Sequence, residues 1–141
     1  MAEQRLVRAN LPLRIEGLVK PWSIAVGHSR LHLRGLVGDP EIDDLRVLDL
    51  VFHDVSRTCV SDVYRDFDLR RATPDQKAAE EARLGKAWPD LTMFLLRHDR
   101  DTDYVVAGRV YWAEVGISPA EPSPLLAERE VSGSPDLMFF A

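Results

Sequence analysis

Two stretches of alternating polarity constrain this chain more than anything else in it. "RLHLRGLV" (30–37) sets Leu31, Leu33, Gly35 and Val37 on one side and His32, Arg34 and Leu36 on the other. "RVLDLVFHDV" (46–55) sets Leu48, Leu50 and Phe52 against Val47, Asp49, Val51 and His53. A period of two belongs to an extended chain, whose successive side chains point to opposite faces. The intervening "GDPEIDDL" carries Gly, Pro and acidic residues, as a connecting loop does. The two strands therefore predict a hairpin. Keeping Leu31, Leu33, Leu48, Leu50 and Phe52 on one face limits its register to steps of two. The most compact choice sets Arg34 opposite Asp49.

That register has a chemical consequence. Arg34 faces a carboxylate, His32 lies diagonal to it, and His53 shares the same face. His32, Arg34, Asp49 and His53 are the candidate binding residues of the chain. The plainest expectation for them is a half-solvated outer face whose ion pair is worth under about 1 kcal/mol. A patch for a partner or an anionic ligand is the functional alternative. A metal site of two histidines and one carboxylate requires closer convergence than a flat sheet allows.

Alternation continues elsewhere. "YRDFDLRR" (64–71) turns Phe67 and Leu69 inward, while "PWSIAVG" (21–27) and "LPLRIEGLV" (11–19) suggest two shorter strands. "LTMFLLRHDRDTDYVVAGRVYWAEV" (91–115) reads as two long apolar strands about a polar connection. Folded symmetrically about Asp101, it sets Phe94 over Gly108, with Tyr111 and Trp112 as core anchors. Between these units lies one helix, over 74–85. Thr73 is its N-cap, Pro74 its first residue, Gln76 completes a capping box, and Gly85 stops it. With only Ala78, Ala79 and Ala82 on its least polar side, it should lie across a sheet surface as a crossover. The expected fold is thus a strand-dominated α+β domain: six or seven mostly antiparallel strands in a curved sheet or half-barrel, with one helix. Residues 1–116 form that domain. Residues 117–141 form a Pro/Glu-rich segment whose apolar end, "LMFFA", docks on the domain or on a partner.

The chemistry of familiar sites is not spelled out. "HDRDTD" (98–103) spaces three aspartates as a calcium loop does. Counted from Asp99, however, the sixth position is Tyr104 and the twelfth Val110, where glycine and glutamate are needed. It reads as a hairpin loop. "HD" at 53–54 and 98–99 suggests a dyad, but adjacent strand residues diverge, and no G-x-S-x-G elbow is present. Neither a P-loop nor G-x-G-x-x-G occurs, so no cofactor is expected. Cys59 is the only cysteine, which suits a reducing compartment. The N-terminus has no uninterrupted apolar run of the signal-peptide kind, and no window has the length of a membrane span. A cytoplasmic protein without membrane association is expected.

The net charge of −5 is unevenly distributed. Through Gly38 there are six basic and two acidic residues, and from Asp39 onward twelve basic and twenty-one acidic. The basic residues are dispersed among apolar ones without a nucleic-acid motif, which makes nucleic acid an unlikely partner. The reading that remains is a non-enzymatic module that binds an unidentified protein or itself, in the manner of an inhibitor, immunity-type or accessory factor. The alternative is a small-molecule binder or enzyme that uses the His/Arg/Asp patch.

Overall fold

The computed structural model describes residues 4–25, 29–127, 129 and 131–141. Its strands are β1 (Arg5–Arg8), β2 (Leu13–Ala25), β3 (Arg30–Val37), β4 (Arg46–His53), β5 (Arg57–Cys59), β6 (Tyr64–Arg71), β7 (Thr92–Leu95), β8 (Tyr104–Ala107), β9 (Arg109–Val115) and β10 (Leu137–Phe140). Helix α1 covers Pro74–Leu84. The strands form one sheet in the order β1-β10-β9-β4-β3-β2-β6-β7-β8-β5. The fold is strand-dominated with one helix, but the sheet has ten strands, and it is mixed because β1 runs parallel to β10. The expected six or seven mostly antiparallel strands are therefore corrected. Strands of three or four residues, such as β1 and β5, are too short to register as a period.

The hairpin of β3 and β4 has the register that its apolar face demands, with Leu33 opposite Leu50 and Arg34 opposite Asp49. The two short strands expected over 11–27 are one long strand, β2. Val26 and Gly27, the end of the expected "PWSIAVG", lie outside the described residues, as does His28. β2 pairs with β6 through its first half and with β3 through its second. Gly17 allows the bend between them: at φ +138, an added Cβ would stand 2.1 Å from the Leu36 carbonyl oxygen. No side chain fits there.

The 91–115 hairpin departs from its expected register. Phe94 pairs with Val105, not Gly108, and the loop runs from Leu96 to Asp103. Gly108 instead sits between β8 and β9, where its amide donates to the His53 carbonyl at 2.9 Å. On one side of Gly108 the chain pairs with β7 and β5, and on the other with β4 and β10. One continuous stretch thus joins distant places in the strand order, and the sheet rolls round a shared core. Leu31, Leu33, Leu50, Phe52, Phe67, Leu69, Phe94 and Trp112 all lie in that core. Tyr111 does not. It points to the opposite face, against His53 and Phe140.

Helix α1 has the predicted capping box, and Gly85 adopts φ 64. It connects β6 to its antiparallel neighbour β7, so it is an excursion rather than a crossover. None of its residues is buried. The layer it forms is completed by Trp88, which packs edge-on to Tyr104 above Met93, Leu95 and Val106. Lys77 secures this turn by donating to the Trp88 and Leu91 carbonyls at 2.6 and 2.7 Å. Below it, the Tyr104 hydroxyl donates to Glu80 and accepts from Arg57. Burial, with the neighbouring Glu80 carboxylate, pushes the Tyr104 pKa up to about 12.

At the C-terminus, Phe139 stacks on Trp112 with ring centroids 5.9 Å apart, and Ala141 exchanges two backbone hydrogen bonds with Val110. No helix among the described residues is long and apolar enough to cross a membrane.

Candidate functional site

His32, Arg34 and Asp49 meet as their strand register requires, but not at a solvated surface. They are 1%, 1% and 0% exposed. The expectation of a half-solvated face is thereby corrected. The cause is the segment after β9, which crosses back over this face of β3 and β4. Arg34 donates from Nε and Nη2 to the two Asp49 oxygens at 2.8 and 3.0 Å, a bidentate pair. Its Nη1 donates to the carbonyls of Pro119 and Glu121 at 2.9 and 2.6 Å. Prolines cannot extend a sheet, so this segment leaves its carbonyls without ladder partners, and Arg34 supplies the donors.

The charge on Asp49 survives burial because it is so well served. Desolvation opposes ionisation, yet the adjoining His32 ring, the two Arg34 hydrogen bonds and the neighbouring Ser123 hydroxyl hold the carboxyl at about 2. His32 Nε2 lies 2.7 Å from Asp49 Oδ1, a close polar contact that is not a formed hydrogen bond. On its other side, His32 Nδ1 is 3.3 Å from the Ser23 hydroxyl. Serine, histidine and aspartate thus follow one another, with Ser23 exposed. The succession does not amount to a nucleophile with its base. The Asp49 charge that would stabilise an imidazolium is already neutralised by a bidentate guanidinium.

His53 stands apart. Four residues along β4, about 13 Å from Asp49, it packs on Tyr111 with ring centroids 4.8 Å apart. Burial and the nearby Arg30 charge lower its pKa, against the pull of Asp54. The structure therefore brings together three of the four residues singled out from sequence, and adds Ser23, Pro119, Glu121 and Ser123. Ser23 was within reach of sequence reasoning, since it faces His32 across the hairpin. The other three come from a remote segment with no periodicity to place it.

The aspartates of "HDRDTD" serve separate masters. Asp99 pairs with Arg97 at 3.0 and 3.1 Å. Asp103 is buried and accepts from the Ser61 and Tyr64 hydroxyls, both at 2.6 Å. Burial works against its charge, but those two donors hold it below the ordinary carboxylate value. Among the described residues no group of three or more His, Cys, Asp or Glu could hold a metal ion.

Outside the buried cluster, two large apolar side chains of β2 stand open to solvent. Trp22 is 45% exposed and Ile24 64%. Trp22 is the extra residue of a bulge, since Pro21 pairs with Leu33 and Ser23 with His32. Its indole lies over the Arg34 guanidinium, whose Cζ is 4.9 Å from the ring centroid. The buried ion cluster thus supports an exposed aromatic from beneath. Fold and site together describe a strand-rich α+β protein with a locked polar cluster and two exposed large apolar side chains on β2. Comparison with protein-family models, curated proteins and solved structures finds no match.

Proposed function

We propose that this protein is a non-enzymatic module that binds another protein, as an inhibitor, immunity-type or accessory factor would. The observation that carries the reading is Trp22. It is a large aromatic left open to solvent, yet it rests on a guanidinium whose donors are engaged by Asp49, Pro119 and Glu121. An exposed tryptophan already resting on a buried group contributes contact area at low entropic cost, and tryptophan is among the residue types enriched at binding hot spots. The alternative, a ligand-binding or catalytic His/Arg/Asp patch, is disfavoured because His32, Arg34 and Asp49 are buried, and Arg34 and Asp49 spend their hydrogen bonds on each other and on the covering segment. The single thiol, Cys59, favours a reducing, cytoplasmic setting.

The test is capture from native lysate with a tagged protein, comparing the natural chain with Trp22→Ala. A stoichiometric partner, or a second copy of the chain, should be held by the former and lost by the latter. The variant should keep its melting temperature within about 3 °C, the equivalent of about 1 kcal/mol in a chain of this size. Recovery of the same partner by both forms, or of an isolated monomer by both, would refute the reading.

A further inference from the structure

Two residues beyond Trp22, β2 borders a groove of about 270 Å³ between Ile24, the start of β3 and the chain entering β5. Apolar surface predominates in it: Leu31 is buried beneath it and Ile24 and Val55 flank it, while Ser29, Ser56 and Thr58 also line it. Among the described residues its charged lining is Arg30 and Arg57, with no acidic side chain, although the chain as a whole carries −5. Arg57 is not a free-swinging side chain, because its Nε donates to the Tyr104 hydroxyl at 2.7 Å. A largely apolar slot between two cations, one of them held in place, has a definite complement.

We infer that this groove receives one large apolar side chain of a partner protein, flanked by carboxylates that pair with Arg30 and Arg57. The inference rests on the reading of the protein as a binding module, and names the chemistry of what it binds. Two other occupants fit less well. Among the described residues, β2 pairs only with β3 from Lys20 to Ala25, which leaves an open strand edge. Lys20, Pro21 and the bulge at Trp22 interrupt that edge and oppose an added strand. A second copy would bring its own Arg30 and Arg57 against the first pair across a two-fold axis, and like charges at an interface oppose association. The partner is therefore met by side-chain insertion and charge rather than by a backbone ladder.

The probes are short blocked peptides with a central leucine between carboxylate residues, a counterpart with lysines in place of the carboxylates, and an acidic one with serine at the centre. Each is titrated into the whole protein at low salt while methyl and indole resonances are followed by NMR. The acidic leucine peptide should move the Ile24, Leu31 and Val55 methyls. The serine and lysine peptides should bind at least about tenfold more weakly, and so should the leucine peptide to Ile24→Glu or Arg30→Glu. Ile24 is exposed, so its variant is expected to fold, and Arg30→Glu provides a second route to the same answer. Equal binding of the lysine peptide, shifts confined to another surface, or no shifts at millimolar peptide would overturn the inference. So would movement of the same methyls with protein concentration alone, which would make a second copy the occupant. Failure of the broader reading is separable. If Trp22→Ala loses the captured partner while Ile24→Glu retains it, the module stands and the groove assignment falls.

Discussion

Replacing Asp49 with asparagine should be among the most damaging single changes available to this protein. The carboxylate is 0% exposed and receives two hydrogen bonds from Arg34, at 2.8 and 3.0 Å. Asparagine keeps the volume but removes the charge, and it presents an amide donor to a guanidinium that is itself a donor. A buried cation left without its partner costs about 3–5 kcal/mol. With an unfolding entropy of about 2.1 cal/mol/K per residue, a chain of this length loses about 3 °C per kcal/mol, so the melting temperature should fall by about 10–15 °C. Exchanging both partners, with Arg34→Met and Asp49→Leu together, should recover part of that loss because no charge is then stranded. Recovery should be incomplete, since Pro119 and Glu121 lose their donor and Trp22 its guanidinium. Acid provides an independent check. The Asp49 pKa is about 2 in the fold against an ordinary 3.8. A depressed folded value means that its contribution is present above pH 3.8 and is lost as the pH falls from there to about 2. That contribution is about 2 kcal/mol, and Asp49→Asn should flatten this part of the profile. Calorimetry and urea titration measure both effects. A cost below about 1 kcal/mol, the scale of a surface ion pair, would refute the buried-cluster account.

Three further outcomes are expected. Gly17→Ala should abolish or severely weaken folding, because its Cβ would lie 2.1 Å from the Leu36 carbonyl at φ +138; a normal melting curve would contradict the close approach of β2 and β3. Deleting residues 137–141 removes β10, its stacking on Trp112 and the partner strand of β1, and should cost on the order of 3 kcal/mol or more; an unchanged urea midpoint would show the tail to be idle. Millimolar calcium should leave the melting temperature unchanged, because Asp99 and Asp103 already hold other partners; a rise of many degrees would refute the assignment of "HDRDTD" as a hairpin loop.

Local pattern and tertiary structure divided the work along a physical line. The alternation of 30–37 and 46–53 dictated the β3–β4 register, and with it the meeting of Arg34, Asp49 and His32, because one apolar face admits few alignments. The capping box and Gly85 likewise bounded α1 by local hydrogen bonding and backbone conformation alone. What lies over those strands was not written in them. A polar triplet on a strand looks the same whether water or another segment covers it, and residues 119–123 carry no periodicity to announce their destination. The shift of Phe94 from Gly108 to Val105, and the turn of Tyr111 away from the core, arise where one strand changes partners at Gly108. Sequence decided which side chains share a face, because that is a property of neighbouring dihedral angles. Only the folded chain decided which face is sealed and which is open, because that depends on contacts between residues some eighty-five positions apart.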